Sequence, residues 1–122
     1  MNKYRDKSDF EINKAVAERY LPCDYRYNES DKIVELIGVD LSCEFGSSID
    51  IEKEHVYGKF DPCNNPADAM PIIIENKITV AYDHLNGEWC AYSGSEIAAH
   101  SDNYYRAAMI CFLMMKEAEN EK

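Results

Sequence analysis

The chain has 122 residues, with 23 acidic against 13 basic side chains and a formal net charge of −10 at pH 7. Its length predicts one domain, residues 1–122, that can bury a core without metals or disulfides, and its 46% apolar content excludes a disordered chain. The negative charge disfavours direct binding to nucleic acids or to anionic membranes, because affinity for phosphate groups comes mostly from Lys and Arg.

The first predicted element is a helix from Asp9 to about Tyr20. Ser8 and Glu11 form a capping box at its start. Apolar residues then recur at helical spacing, and the Leu21-Pro22 pair predicts the end of the helix, since the residue before a proline avoids helical geometry.

Strand patterns follow this helix. Cys23–Tyr27 alternates apolar and polar residues, and Lys32–Ile37 is rich in β-branched residues, so that the two segments predict a hairpin. Val39–Phe45 alternates most clearly, with one face for the core and an acidic face for water. The pattern weakens over Gly46–Phe60, where a loop or an edge strand is expected.

Acidic residues are concentrated in one stretch of the chain, residues 29–54. This stretch holds eight acids and two lysines, and so it supplies −6 of the net charge of −10. It is either a solvated face that keeps the protein soluble or a surface that binds a basic, nucleic-acid-binding site on another protein. The residues assigned to partner binding are Asp40, Glu44, Asp50, Glu52 and Glu54.

A second helix is predicted to begin after Asn65. This residue can serve as the N-cap, with Pro66 in the first helical position and Asp68 in the first turn. Pro71 removes a backbone donor, so a short or kinked helix that ends near Asn76 is expected.

A second hairpin is predicted from Ile78–Tyr82 and Trp89–Tyr92, which alternate on either side of a turn that contains Asn86-Gly87. Asn and Gly tolerate the positive φ angles that tight hairpin turns need. Trp89 is interpreted as a core aromatic residue, with stacking on a ligand as the alternative.

The last predicted element is a helix that is capped by Ser101 or Asp102 and runs through about Ala118. Its middle, Ala107–Met115, is apolar on every side. Such a helix is either buried in its own domain, which is the preferred interpretation, or offers one side to a second copy of the chain in a homo-oligomer. A run of this length is too short to span a bilayer.

Together these elements predict an α+β fold. About five antiparallel strands, arranged as two hairpins plus a central or edge strand, form one sheet. The N-terminal helix and the long apolar C-terminal helix pack on this sheet, with the short Pro-kinked helix between them. Residues 1–7 and 119–122 are expected to fray.

The five cysteines, at positions 23, 43, 63, 90 and 111, predict reduced thiols. They form no pair at the spacing of a metal site, and the three histidines are equally scattered, so neither a metal nor another cofactor is expected. Because Met1–Lys14 contains no apolar signal segment, the cytoplasm is the expected location.

Catalysis has one weak candidate, the thiol of Cys63. It lies in a polar loop with Asp61 and Asn64, ahead of a helix N-terminus that would stabilise a thiolate. The preferred interpretation is turn and cap chemistry around a half-buried thiol. The sequence also contains neither of the glycine-rich phosphate-binding motifs G-x-x-x-x-G-K-[ST] and G-x-G-x-x-G. No catalytic residue is therefore assigned.

Three segments combine in a specific pattern: Phe60–Ile78 with its N-P-A-D-A-M-P-I-I run, Ser8–Ala17 near the start, and Arg106–Phe112 in the last helix. Together with Trp89 in the hairpin, this pattern resembles the NinX-like family of lambdoid phage and prophage proteins. The resemblance leaves out residues 21–59, which include the whole acidic stretch. It implies an accessory protein made inside a bacterial host, and it implies no activity, cofactor or catalytic residue.

Three functions are expected, in descending order. The first is non-enzymatic binding of a host or phage protein with a basic surface. The chain would inhibit or modulate that protein, and host defence proteins are among the expected targets. The second is binding or sequestration of a small ligand near Asn64, Asn65, Asp68 and Trp89. The third is an enzyme that depends on Cys63.

Overall fold

A computed structural model describes residues 4–22, 24–39, 54–94 and 96–120. In chain order, the helices and strands of these residues are α1 (Asp9–Tyr20), β1 (Tyr25–Asn28), β2 (Ile33–Val39), β3 (Glu54–Phe60), α2 (Pro66–Glu75), β4 (Thr79–Asp83), β5 (Glu88–Ser93), β6 (Ile97–Ser101) and α3 (Tyr104–Asn120). The expected α+β class is confirmed, and the predicted bounds of α1 agree with the structure.

The strands form two three-stranded antiparallel sheets, in the orders β1-β2-β3 and β4-β5-β6. The expectation of one sheet with about five strands is therefore wrong. Each predicted hairpin is completed by its own third strand, β3 on the first and β6 on the second. β3 confirms the edge-strand alternative for its segment. β6 escapes prediction because its Ala98-Ala99 centre lacks the β-branched and aromatic residues that mark a strand.

The first hairpin is confirmed, with Tyr27 of β1 directly opposite Val34 of β2. The strand predicted over Val39–Phe45 can be followed only at Val39, which is the last residue of β2. The rest of that prediction falls on residues 40–53, which lie outside the described residues.

Side-chain caps begin α1 and α2 as the sequence predicts. The hydroxyl of Ser8 accepts a hydrogen bond from the amide of Glu11 at 3.1 Å. The side chain of Asn65 accepts one from the amide of Ala67 at 3.0 Å. Pro71 lies inside α2 without ending it, so the helix continues to Glu75.

The cap of α3 differs from the prediction. The side-chain oxygen of Asn103 accepts hydrogen bonds from the amides of Tyr105 at 2.8 Å and Arg106 at 3.2 Å. The expectation of Ser101 or Asp102 as the cap is therefore wrong. Ser101 acts one step earlier, because its hydroxyl accepts from the amide of Asn103 at 3.2 Å and so fixes the capping residue.

Helix α3 is the centre of the core. It packs on the second sheet, and α1 and α2 also pack against it. Ala107–Leu113 are consequently buried, which agrees with the preferred interpretation of the apolar helix. No helix in the described ranges is long and apolar enough to cross a membrane.

The segment before α1 is anchored, although the sequence analysis expects it to fray. Tyr4 is buried, and its hydroxyl donates a hydrogen bond to the carboxylate of Glu117 on α3. The guanidinium of Arg5 lies 2.6 Å from the carboxylate of Glu88 on β5. Residues 4–7 therefore run across the start of the second sheet and along α3.

Candidate functional site

The starts of α1 and α3 meet the loop before α2 in a cluster of hydrogen-bonded polar side chains, here called the polar junction. Its members are Asp9, Asn13, Asp61, Asn64, Asn103 and Arg106. Asp9 and Asn13 come from α1, Asp61 and Asn64 from the loop before α2, and Asn103 and Arg106 from the start of α3. The segments that carry the phage-family pattern thus converge at one place in the fold.

Asn13 is the buried centre of the polar junction, with 4% of its surface exposed. Its amide nitrogen donates to the carboxylate of Asp61 at 2.8 Å. Its side-chain oxygen accepts from the backbone amide of Cys63 at 3.1 Å. One side chain of α1 therefore holds the loop before α2 at two points, and both Asn13 groups are paired.

Asn64 connects all three segments of the polar junction. Its amide nitrogen donates to the carboxylates of Asp9 and Asp61, both at 3.1 Å. Its side-chain oxygen accepts from the amide nitrogen of Asn103 at 3.4 Å. Asn64, which the sequence assigns to ligand binding, thus has both its side-chain nitrogen and its side-chain oxygen bonded to protein groups.

Arg106 clamps the N-terminal segment onto α3. One guanidinium nitrogen donates to the carboxylate of Asp9 at 2.6 Å. The other donates to the backbone carbonyl of Arg5 at 3.1 Å and to that of Lys7. Only 13% of the Arg106 side chain is exposed. A planar guanidinium suits this task because it presents several donors in fixed directions at once.

Helix N-termini attract anions, because their first N–H groups are unpaired and the helix dipole is positive there. Around the polar junction the protein's own carboxylates fill that role. Asp9 lies in the first turn of α1. Asp68 lies in the first turn of α2 and accepts a hydrogen bond from the amide of Asp61 at 2.8 Å. The junction therefore resembles a structural joint more than an open anion site.

The four residues assigned to a ligand pocket divide between two places. Asn64, Asn65 and Asp68 lie together at the start of α2, where each makes a hydrogen bond within the protein. Trp89 lies on β5 in the second sheet, and its ring centroid is 5.1 Å from that of Tyr104 at the start of α3. Two adjacent residues connect the places, because Asn103 donates a hydrogen bond to Asn64 and Tyr104 contacts Trp89.

The residues assigned to partner binding fall mostly outside the described chain. Asp40, Glu44, Asp50 and Glu52 belong to residues 40–53. Glu54 is the first residue of β3 and pairs with Val39 of β2. The assignment of these acids to a partner stays a prediction.

Cys63 lies in an environment that opposes a thiolate. Its side chain is fully buried, and the thiol faces the carbonyl of Asp9 at 3.9 Å. Burial raises the pKa of the thiol, the charge of Asp9 raises it further, and Arg106 opposes this shift. The start of α2, which follows Cys63, was expected to stabilise a thiolate, but desolvation disfavours that thiolate.

We expect Cys63 to resist alkylation by iodoacetamide at about pH 8 until the protein unfolds, because the attacking species is the thiolate. Cys90 is half-buried and should react sooner, although desolvation and then the charge of Asp83 raise its pKa as well. Peptide mapping by mass spectrometry over a time course checks this order. Faster labelling of Cys63 than of Cys90 in the folded protein contradicts it.

Burial of a further thiol, that of Cys111, makes the stability of the protein depend on pH in the alkaline range. Desolvation raises the pKa of Cys111 from 9.0 to about 12. A thiol whose pKa is raised on folding contributes stability below its unfolded pKa and loses it as the pH rises toward the folded value. The melting temperature should therefore fall between about pH 9 and pH 12, and it should fall less in a Cys111→Ala variant.

A small surface cleft lies beside the polar junction, with a volume of about 240 Å³. It is lined by Arg5, Glu88, His100, Ser101, Asp102 and Arg106. Its two guanidinium groups are paired with carboxylates, Arg5 with Glu88 and Arg106 with Asp9, each at 2.6 Å. The imidazole of His100 lies 3.8 Å from the carboxylate of Asp83. Within the part of the chain that the structure describes, no three His, Cys, Asp or Glu side chains form a group that could hold a metal ion.

The fold is of the α+β class, with two three-stranded sheets and with α3 buried against the second sheet and the other two helices. A family model described as "Bacteriophage P22, NinX" matches residues 3–116. The chain therefore belongs to this phage NinX family, as its sequence pattern indicates. Searches of curated proteins and of solved structures gave no match.

Proposed function

We propose that this phage-family chain is a non-catalytic accessory protein that binds another protein, of the bacterial host or of the phage, and inhibits or modulates it. The observation that carries the proposal is the acidic excess. Thirteen basic side chains cannot neutralise 23 acidic ones, so a formal excess of ten negative charges remains at pH 7. Such a surface attracts a basic protein surface and speeds its association.

The polar junction supports binding over catalysis. Its amides, carboxylates and guanidinium bond to one another, as with Asn13 to Asp61 and Arg106 to Asp9. Catalytic groups need a reacting atom within hydrogen-bond reach of a nucleophile or base, and the junction offers its donors and acceptors to the protein itself. Cys63, the candidate nucleophile, is buried with a raised pKa.

The acidic stretch, residues 29–54, is the proposed contact surface. It carries −6 of the net charge of −10. In its described part, Glu29 lies in the turn between β1 and β2 with 66% of its side chain exposed. Exposed carboxylates in one stretch give an association rate that depends strongly on salt.

Charge reversal tests this proposal. A variant with Glu44→Lys, Asp50→Lys, Glu52→Lys and Glu54→Lys should lose capture of the partner from host lysate, because repulsion replaces attraction at the contact surface. Capture by the unaltered protein should weaken as salt is raised. The captured proteins are identified by mass spectrometry at low and high salt.

The matched control reverses four exposed acids elsewhere, Asp6, Asp24, Glu96 and Glu119. It changes the net charge by the same amount, so it separates a local surface from total charge. Retained capture in the control and lost capture in the first variant support the proposal. Capture that is insensitive to salt and survives in both variants contradicts it.

A further inference from the structure

Strand β4 lies at an edge of the second sheet. Its register with β5 is regular over all five residues, Thr79–Asp83. Among the residues that the structure describes, no strand pairs with the other side of β4. None of its residues is buried, and Tyr82 is 42% exposed. The free edge of such a strand presents backbone N–H and C=O groups that can pair with another strand.

β4 lacks the features that protect the other edges. Proteins block edge strands with charged side chains, bulges or very short strands. In the first sheet, β3 carries Lys59 and an irregularity in its register with β2, and β1 has only four residues. In the second sheet, Ala99 and Ser101 of β6 are buried. β4 has neither a bulge nor a buried residue, and its segment Thr79–Tyr82 carries no charge.

The outward backbone groups of β4 belong to Val80 and Tyr82. Along a strand, residues whose backbone N–H and C=O face the partner strand alternate with residues whose groups face away. The carbonyl of Asp83 accepts a hydrogen bond at 2.8 Å from the amide of Gly87, in the turn that leads into β5, so Asp83 faces β5. By alternation Ala81 also faces β5, whereas Val80 and Tyr82 direct their donors and acceptors outward.

We propose that the edge of β4 pairs with β4 of a second copy of this chain in an antiparallel dimer. A two-fold axis perpendicular to the sheet passes beside Ala81, so that Val80 of each copy lies opposite Tyr82 of the other. Each of these pairs exchanges two backbone hydrogen bonds, which uses every outward group of the two residues. The two three-stranded sheets then join into one sheet of six strands. Both copies contribute the same surface, as in the commonest class of homo-oligomer.

The side chains of β4 fit this register. Ala81 lies opposite itself in a non-hydrogen-bonded pair, where side chains come closest, and alanine is small enough for that position. Val80 lies on the core side of the sheet, because it is opposite the fully buried Ala91. Tyr82, two positions along, lies on the same side. Pairing Val80 with Tyr82 of the second copy therefore covers an exposed ring with apolar surface.

Charge permits the contact at β4, although the chain as a whole is acidic. In the proposed register Asp83 lies opposite Thr79 of the second copy and not opposite another carboxylate. Two copies with a net charge of −10 each still repel one another at longer range. Salt screens that repulsion, so the dimer should become tighter as salt is raised. Capture of a basic partner should instead weaken, so the salt dependence distinguishes the two associations.

Self-association is therefore placed at β4 and not at α3, the helix that the sequence analysis names for a homo-oligomer. Ala107–Leu113 of α3 are buried within the chain, which removes this part of the helix as a contact surface. The inference goes beyond the proposed function and does not depend on it.

Sedimentation velocity between about 10 µM and about 1 mM measures the dimer. We expect a Kd of about 100 µM, because one short strand pair buries less than the roughly 800 Å² per partner of a standard stable interface. Amide exchange by NMR tests the register. At high protein concentration the amides of Val80 and Tyr82 should exchange more slowly than at low concentration. The amide of Ala81 should change less, since it is bonded to β5 in the monomer as well.

Charges introduced at Ala81 test the register directly, because this residue lies opposite itself. Ala81→Lys brings two ammonium groups together and should raise the Kd at least about fivefold. Ala81→Glu should do the same with two carboxylates. An equimolar mixture of the two variants should recover the dimer, since unlike charges then meet. Recovery in the mixture also shows that both variants are folded.

The matched control is Ala98→Lys, the same chemical change at an exposed alanine of β6. Ala98 lies opposite Tyr92 and so on the same face of the second sheet as Ala81, which lies opposite Cys90. Because Ala98 is away from the proposed interface, this variant should change the Kd by less than about twofold.

Several results would overturn the inference. These are a monomer at every concentration, a dimer that Ala81→Lys leaves unchanged, a mixture of the two charged variants that stays monomeric, or equal losses in Ala81→Lys and Ala98→Lys. If the unaltered chain is monomeric and Ala81→Lys abolishes capture of a host protein, β4 pairs with a strand of that protein, which also overturns pairing with a second copy. The charge reversals in the acidic stretch test the proposed function separately.

Discussion

Replacing Asn13 by alanine should lower the free energy of unfolding by about 3 kcal/mol. The substitution removes the hydrogen bond to Asp61 and leaves the backbone amide of Cys63 without its acceptor. A buried donor that loses its partner costs its full desolvation, which is why this effect should exceed that of a surface hydrogen bond. Urea unfolding followed by circular dichroism measures the change.

A second substitution at the same position separates hydrogen bonding from packing. Asn13→Asp keeps an oxygen for the amide of Cys63 but places a carboxyl group against that of Asp61. Burial and the neighbouring charge would raise the pKa of the introduced group on folding. Its destabilisation should therefore be smaller at about pH 4 than at about pH 7, since stability is lost as the pH rises through a raised pKa.

The control for Asn13 is Asn120→Ala, the same chemical change at the exposed end of α3. It should alter the free energy of unfolding by less than about 0.5 kcal/mol. Equal effects of the two alanine substitutions would show that the polar junction contributes nothing special to stability. A pH-independent Asn13→Asp variant would argue against the contact with Asp61.

Local signals in the sequence were sufficient for much of the fold. The bounds of α1 follow from its capping box and from Pro22, both of which act within a few residues. The second hairpin follows from its turn, where Gly87 has a φ of +69°. In both cases the physical cause and the visible pattern lie in the same short stretch of chain.

Strand β6 shows where local signals end. Its residues are small, and Ala98 and Ala99 have little preference for strands on their own. The strand exists because its backbone pairs with β5, with Ala99 opposite Ala91, and because this buried face packs on α3. Pairing with β5 therefore determines the strand conformation of these residues, and the sequence alone does not reveal which strand is available for pairing.

The polar junction, like β6, depends on contacts between residues that are distant in the sequence. Asn13 and Asp61 are 48 positions apart, and Asp9 and Arg106 are 97 apart. Periodicity cannot relate such residues. What the sequence did offer was the phage-family pattern, whose separate segments prove to be neighbours in space. The segments of this pattern thus have a structural role at the junction, and the proposed contact surface, residues 29–54, lies outside it.

Replacing Arg106 by methionine should lower the free energy of unfolding by about 3 kcal/mol and release the N-terminal segment. The guanidinium holds the carboxylate of Asp9 and the carbonyls of Arg5 and Lys7, and it is 13% exposed. Methionine fills similar space without any donor, so Asp9 loses its charged partner. Trypsin should then cut after Arg5 and Lys7 in the folded protein, and amide hydrogen exchange of residues 5–8 should accelerate.

Arg106→Lys tests whether charge alone is sufficient. A lysine ammonium keeps the attraction to Asp9. Its three N–H donors lie on a single nitrogen, however, and cannot replace the two separate guanidinium nitrogens that reach Asp9 and the two carbonyls. It should therefore recover part of the stability and little of the protection from trypsin. Arg26→Met is the matched control, because Arg26 pairs with Glu35 at 2.8 Å with 53% of its side chain exposed. Such a surface pair contributes less than about 1 kcal/mol, so equal losses in the two methionine variants would contradict the role of Arg106 as a clamp.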